Sequence, residues 1–323
     1  MPGASLRHFI YFQYTINNLT EKRKIMNKLF VSGLINTETT VKVDSFPIQY
    51  CPILFPFFGV ETAVSGVGFN IAKALTVLGD EVSLFSLAGS DDSACMIKQT
   101  LLSCGISCKY VEPGLKSTPQ SVVLYDKDGK RQIYCDLKDI QETQCSIEKF
   151  KEAAAACGIA VLCNINYNRP LLKLAKEMGK TIATDVHVVS DMYDAFNADF
   201  MRYADILFMS DEAVKGDPKD FIREIAGLYG NDIIVMGLGA KGALLYTKES
   251  GAAVLQPAVK TRDVVNTVGA GDALFSAFLH QYAITKDPAY SLRFAVTFAS
   301  YKIGESGAAK GFADEQTIRG LME

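Results

Sequence analysis

Short apolar runs alternate along this chain with stretches in which apolar residues recur every three or four positions. Val82 to Leu87, Ile159 to Cys163, Thr181 to Thr184, Ile206 to Met209 and Ile233 to Met236 read as strands. Ala94 to Leu102, Pro170 to Met178 and Phe221 to Tyr229 read as helices between them. Such alternation predicts an α/β fold, a mainly parallel sheet with helices on both faces. Two more helices show in the spacing. Ile71, Ala74, Leu75 and Leu78 share one face before a Gly79 stop, and Phe275, Phe278, Leu279 and Tyr282 follow the same period. Two segments break the rhythm. Thr39 to Asp44 alternates polar and apolar, as a strand with one wet face does, and Ser121 to Tyr125 and Arg131 to Cys135 flank a turn at 126–130. Ala243 to Tyr246 begins a further hairpin.

Composition narrows the class. A chain of 323 residues that is 49% hydrophobic can bury a large core, and it fits one large domain with a small appendage better than two equal ones. The net charge of −3 gives no reason to expect nucleic acid or an anionic membrane as partner. No apolar run approaches the roughly 20 residues that span a bilayer. The eight cysteines are scattered, and Cys104 and Cys108 have no histidine or second pair to complete a zinc site. That usage suits a reduced, cytoplasmic protein. Residues 1–25 carry an aromatic stretch, His8 to Tyr14, but no long apolar stretch or cleavage site of a signal peptide. They read as an N-terminal extension, or as residues upstream of the true start at Met26, outside a core domain of 26–323.

The candidate chemistry lies in two glycine motifs. Asn266-Thr267-Val268-Gly269-Ala270-Gly271-Asp272 precedes a helix. Glycines at a helix N-terminus leave outward N–H groups in the positive end of the dipole, which makes an anion site. An aspartate beside a bound phosphate is repelled by it, so it makes sense as a base that takes a proton from an attacking hydroxyl. A glycine turn followed by a capping Asp is the structural alternative. Ser65-Gly66-Val67-Gly68-Phe69-Asn70 opens the other helix. Asn70 can both donate and accept, which suits a polyhydroxy ligand. The alternative is a turn needed only for packing. The spacing does not fit a dinucleotide fingerprint.

Together these motifs resemble those of the ribokinase-like (PfkB) carbohydrate kinases, in their order and over nearly the whole chain after Met26. The family signatures are a double-glycine motif near the N-terminus and Asp-Thr-x-Gly-Ala-Gly-Asp near the C-terminus. Leu29 to Glu38 looks like the family's opening strand, and Leu238-Gly239-Ala240-Lys241-Gly242 like its nucleotide loop. The resemblance implies a ribokinase-like α/β/α sandwich with a small β-sheet lid, here about 37–64 and 117–138. It also implies an ATP-dependent kinase acting on a hydroxyl of a sugar. Asp272 would be the base, and Gly269, Ala270 and Gly271 the anion hole. Asn36, Glu38, Gly66 and Asn70 would bind the acceptor. Leu238, Gly239, Lys241, Gly242, Thr267, Val296 and Ser300 would contact ATP. Asp136 and Lys138 read better as solvated lid charges than as ligands.

The chain departs from the pattern twice. Asn266 stands where the family has an aspartate that helps hold a monovalent cation, which puts such a cation in doubt. The family's Asn-x-x-Glu motif, tied to magnesium, is compressed to Ser210-Asp211-Glu212-Ala213. Glu212 is the expected partner of the magnesium-bound water, with Asp211 as alternate; a helix N-cap at Ser210 is the structural reading. Magnesium itself follows from phosphoryl-transfer chemistry. Pseudouridine kinases of the family share the Gly-Val-Gly-x-Asn form and an Asn opening the second motif, so a nucleoside acceptor stays open beside a free sugar. A non-catalytic sugar-binding regulator is the third reading. A homodimer through the lid is compatible with the resemblance.

Overall fold

A computed structural model describes residues 27–127 and 130–323; the expectation for residues 1–25 lies outside these. In chain order the strands are β1 (Lys28–Ser32), β2 (Asn36–Lys42), β3 (Val60–Ser65), β4 (Glu81–Ala88), β5 (Tyr110–Pro113), β6 (Gln120–Tyr125), β7 (Arg131–Asp136), β8 (Ile159–Leu162), β9 (Thr181–Val188), β10 (Ile206–Ser210), β11 (Ile233–Gly237), β12 (Gly242–Thr247) and β13 (Ala252–Pro257). The α-helices are α1 (Val67–Leu78), α2 (Asp92–Ser103), α3 (Ile147–Ala154), α4 (Arg169–Glu177), α5 (Ala198–Tyr203), α6 (Pro218–Tyr229), α7 (Ala270–Thr285), α8 (Pro288–Lys302) and α9 (Glu315–Met322).

The main sheet runs β13-β12-β11-β10-β9-β8-β1-β4-β5. It is parallel from β11 to β5, and the β12–β13 hairpin closes one edge antiparallel. Its strands are apolar on both faces because both faces are covered. Leu29, Val31, Ile206, Phe208, Ile233 and Val235 pack with α1, α7 and α8 on one side. Phe30, Leu207, Met209, Ile234 and Met236 pack with α3, α4 and α6 on the other. The alternation along each strand builds the three layers.

A second sheet, β3-β2-β6-β7, stands apart from the first. β6 and β7 match the expected hairpin, β2 overlaps the alternating stretch at 39–44, and β3 carries no alternation that sets it apart in sequence. β2 starts at Asn36, three residues before the alternation begins, and pairs antiparallel with β3 and parallel with β6. Every residue of β7 is exposed. Asp91 anchors this sheet to the core. It caps α2 by accepting from Ala94 N–H at 3.0 Å, and it takes Thr118 N–H at 2.8 Å at the entry to β6.

β9 is the notable extension. The apolar run predicts a strand ending at Thr184, but pairing with β10 continues to Val188 across a bulge, with Asp185 opposite Phe208 and Val188 opposite Ser210. Polar residues hide that extension in sequence. Bulges re-aim side chains and cluster near active sites.

Candidate active site

Two helices point glycine N-termini at one region. Most helices here are capped by a side chain; Asp91, Ser146, Asp217, Asp287 and Asp314 each accept a backbone N–H. α1 and α7 start instead at Gly66 and Gly269, with no side-chain cap bond. Gly68 N–H turns to the Leu34 oxygen at 2.9 Å and Ala270 N–H to the Thr267 oxygen at 3.1 Å, so the anion hole expected from 269–271 rests on the glycine N–H groups rather than on Ala270. Neither glycine is replaceable. Gly66 has φ 103°, and a Cβ there would meet the Leu34 carbonyl oxygen at 2.5 Å; Gly269 has φ 76°, and its Cβ would meet the Ala308 oxygen at 2.4 Å. Gly68 is pressed just as closely on Gly33 at the end of β1, which draws α1 down onto the sheet.

That packing brings Asn70 to Asp272. Asn70 Nδ2 donates to Asp272 Oδ2 at 2.7 Å. Burial pushes the Asp272 carboxyl above the ordinary aspartate range; the Asn70 bond and the field of His187 pull the other way without cancelling it. Asn36 is buried and donates from Nδ2 to Ser121 Oγ at 3.0 Å. Both amide oxygens, Asn36 Oδ1 and Asn70 Oδ1, are buried without a hydrogen-bond partner among the described residues. Orphaned buried acceptors are rare, and a ligand is one reason to keep them. Glu38 lies close enough to feel Asp272. Burial raises its carboxyl, long hydrogen bonds from Ser65 at 3.4 Å and Ser121 at 3.5 Å oppose the shift, and the charge of Asp272 adds to it.

The expected nucleotide residues sort into two groups. Leu238, Gly239 and Lys241 form the turn between β11 and β12, with Leu238 N–H donating to the Gly242 oxygen at 2.8 Å and Lys241 exposed. Gly242 has a packing role as well: φ is 109°, and a Cβ would strike the Gln256 oxygen at 2.1 Å. Thr267 is exposed, and its carbonyl accepts from Ala270 at 3.1 Å. Val296 packs in the core below α8, and Ser300 Oγ accepts Thr261 N–H at 3.1 Å, so both are occupied structurally.

At the end of β10 the chain makes a turn, and no helix starts at Ser210; α6 waits until Pro218. Glu212 is exposed there, and Asp211 N–H bonds the Gly237 oxygen at 3.1 Å. Asp136 and Lys138 pair with each other at the surface. No cluster of three or more His, Cys, Asp or Glu side chains among the described residues is placed to hold a metal. Magnesium bound through nucleotide and waters needs only one or two protein carboxylates.

Sequence reading missed Asp185. It is buried at the carboxyl end of β9, with one oxygen about 4.0 Å from where a Gly271 Cβ would lie. Its other oxygen accepts His187 N–H at 2.8 Å. His187 is held at φ 59°, a strained conformation for a non-glycine residue, with Nδ1 3.6 Å from Asp185. The available signal is positional: ligands in open parallel sheets bind at the carboxyl ends of strands. Lys302, fully buried at the end of α8, was also missed. Its Nζ donates to the Val268 carbonyl, and burial lowers its pKa to about 8.

A glycine-lined anion hole, a desolvated carboxylate on the same helix and orphaned acceptors beside it, at the carboxyl edge of a parallel sheet, define a phosphotransferase site for a hydroxyl acceptor. The sequence profile described as "pfkB family carbohydrate kinase" matches residues 26–315, and the chain belongs to that family. It is 24% identical over 326 residues to the ribokinase of Dictyostelium discoideum, covering 90% of this chain and 99% of that one. It is 25% identical over 248 residues to a fructosamine kinase of Bacillus subtilis, covering 75% of this chain and 84% of the relative. Among solved structures it superposes on the microbiome-derived acarbose kinase Mak1 with a TM-score of 0.83 at 22% identity, covering 92% and 99% of the two chains. Arabidopsis thaliana ribokinase complexed with ribose and ATP gives 0.77 at 21% identity, covering 93% and 99%. The fold is therefore the ribokinase sandwich, and the protein is an ATP-dependent kinase with an alcohol group as acceptor.

Proposed function

We propose that this kinase phosphorylates a hydroxyl on a sugar ring, either a free sugar or the ribose of a nucleoside. The observation that carries the reading is the double duty of Asn70. Its amide nitrogen holds Asp272, while its buried oxygen has no hydrogen-bond partner among the described residues. A ligand hydroxyl that donates to Asn70 Oδ1 is thereby set beside the base. Asn36 Oδ1 supplies a second acceptor, and Glu38, whose Oε2 also takes the Ser65 and Ser121 hydroxyls, a third.

The reaction follows from these positions. The acceptor hydroxyl passes its proton to Asp272 as its oxygen bonds to the γ-phosphorus of ATP. The bond from that phosphorus to the β–γ bridging oxygen breaks, and ADP leaves. The N–H groups of Gly269 and Gly271 meet the charge on the transferring group. Leu238 to Gly242 and Thr267 form the nucleotide edge, with Val296 and Ser300 behind it. Magnesium, when bound with ATP, offsets the phosphate charge. Asp185 and Glu212 are the carboxylates that would hold its bound waters, and Asp185 is favoured by its place beside Gly271.

The second sheet, with its flanking loops, is the lid over the acceptor. Glu61 on β3 pairs with Lys310, which follows α8, so lid and core are already bridged. Exposed aromatics next to it, Tyr50, Phe55, Phe57 and Phe58, together with Ile133 and Tyr134 on β7, suit a homodimer contact through the lid. Among the described residues no helix is long and apolar enough to cross a membrane. The scattered free cysteines are the ground on which we assign the enzyme to the reducing cytoplasm.

The nucleoside reading, pseudouridine in particular, rests on the Gly66-Val67-Gly68-Phe69-Asn70 form and on Asn266. ADP release from ATP with a panel of free sugars and nucleosides separates the alternatives. Turnover of a sugar or nucleoside supports the reading. Tight binding of one with no turnover would favour the non-catalytic regulator.

A further inference from the structure

We propose that the ammonium of Lys302 is the built-in cation of the anion-hole loop, standing where a monovalent metal ion would otherwise be needed. The inference rests on the kinase reading above and adds a positioning residue to it.

Three observations carry it. Lys302 is completely buried, and a buried ammonium is costly unless it is hydrogen-bonded and near opposite charge. Its Nζ donates to the carbonyl of Val268, whose peptide unit also carries the Gly269 N–H. Fixing that carbonyl toward Lys302 turns the Gly269 N–H away from it, so the lysine sets the orientation of a peptide in the anion hole. The other side of Val268 is held too: its own N–H donates to Asn266 Oδ1 at 2.7 Å. The Asn266 oxygen is thus already engaged, and it carries no charge to draw a metal ion.

The surrounding ties make the loop move with α8. Val265 and Asn266 N–H groups both donate to the Ile303 oxygen, at 2.8 and 3.0 Å. Thr261 N–H bonds Ser300, and Arg262 bonds the Tyr301 oxygen. The charged groups acting on Lys302 are Asp272 and Glu305, which favour its charge, and Arg131 and Arg262, which oppose it. A neutral Asn at 266 and a buried lysine at 302 therefore do not fit a monovalent metal ion in the same place.

The test compares the natural enzyme with Lys302→Ala and Lys302→Met, measuring initial rate against potassium or ammonium at fixed ionic strength, balanced with tetramethylammonium. The natural enzyme should be indifferent to potassium. Both variants should lose roughly 10²-fold in kcat, the usual scale for disabling an oxyanion-hole donor. Only Lys302→Ala, which leaves room for an ion, should be partly restored by potassium or ammonium. Strong potassium activation of the natural enzyme, or a Lys302→Met variant as active as the natural one, overturns the proposal; so does a folded Lys302→Ala indifferent to every cation. If Lys302→Ala does not fold, the natural enzyme and the size-matched Met variant decide. Absence of ATP-dependent turnover in any salt would instead count against the kinase reading. The cation question then rests on crystals of the natural protein soaked in rubidium. No anomalous peak beside the Val268 carbonyl supports Lys302 as the cation, and a peak there refutes it.

Discussion

Asn70 Nδ2 donates to Asp272 Oδ2 at 2.7 Å, joining the first turns of α1 and α7 across 202 positions of sequence. The two glycine motifs are thus one site, and the contact both aims the carboxylate and eases its ionisation. Asn70→Ala removes the strongest interaction that opposes the burial-driven rise of Asp272. The base works only when ionised, so the acidic limb of kcat should move to higher pH in this variant. Its KM for the acceptor should also rise, because Oδ1 is lost. A kcat–pH profile beside that of the natural enzyme checks both effects; an unshifted limb would separate Asn70 from the base.

Gly269→Ala places a Cβ at 2.4 Å from the Ala308 oxygen and in a left-handed conformation. The start of α7 must then shift, and the anion hole with it. Activity should fall by roughly 10²-fold or more, since displacements near 1 Å at the reacting centre cost that much. Melting temperature should also drop. Kinetics and a thermal melt on the same sample test this.

Away from the site, His280 is buried between Asp80 and Glu315. Nδ1 lies 2.8 Å from Asp80, while Nε2 lies 3.8 Å from Glu315, too long for a hydrogen bond. Burial opposes the charged imidazolium, but Asp80, aided by Glu315, outweighs it and raises the histidine pKa. A raised histidine stabilises the fold fully below its unfolded pKa of about 6.5 and loses that contribution as pH rises through the folded value. The natural protein should therefore lose stability over that window relative to His280→Gln. Denaturant midpoints from mildly acidic to mildly alkaline pH measure the difference, and parallel curves for the two proteins would contradict it.

Much of this was legible in the sequence. The glycine motifs, the β6–β7 hairpin and the central strands each carry a local pattern, because parallel strands covered on both faces are apolar and a left-handed turn favours glycine. Asp185 and His187 had no such signal, since polar residues ending β9 read as loop until pairing with β10 shows the bulge. Lys302 looks like an ordinary last-turn lysine of a helix. Only the packing of α8 against the 261–269 loop shows that it is buried. The acid at Glu212 was visible, but its exposure was not.

The lid aromatics give a fourth expectation. Phe55, Phe57 and Phe58 are 74%, 84% and 109% exposed. If they form a homodimer contact, replacing all three by Ser should shift the natural protein from dimer to monomer in sedimentation velocity with little change in melting temperature. A natural protein that is already monomeric at high concentration would remove the dimer.

The central claim is that Asp272 takes the acceptor's proton. Asp272→Asn preserves shape and can still accept from Asn70, and it removes a buried charge, so the variant should melt at or above the natural temperature. With the acceptor found in the sugar and nucleoside panel, single-turnover transfer from ATP should slow by roughly 10²–10⁴-fold, the usual worth of a general base, with a smaller change in ATP affinity. A folded Asp272→Asn enzyme that transfers phosphate at near-natural rate would contradict the account.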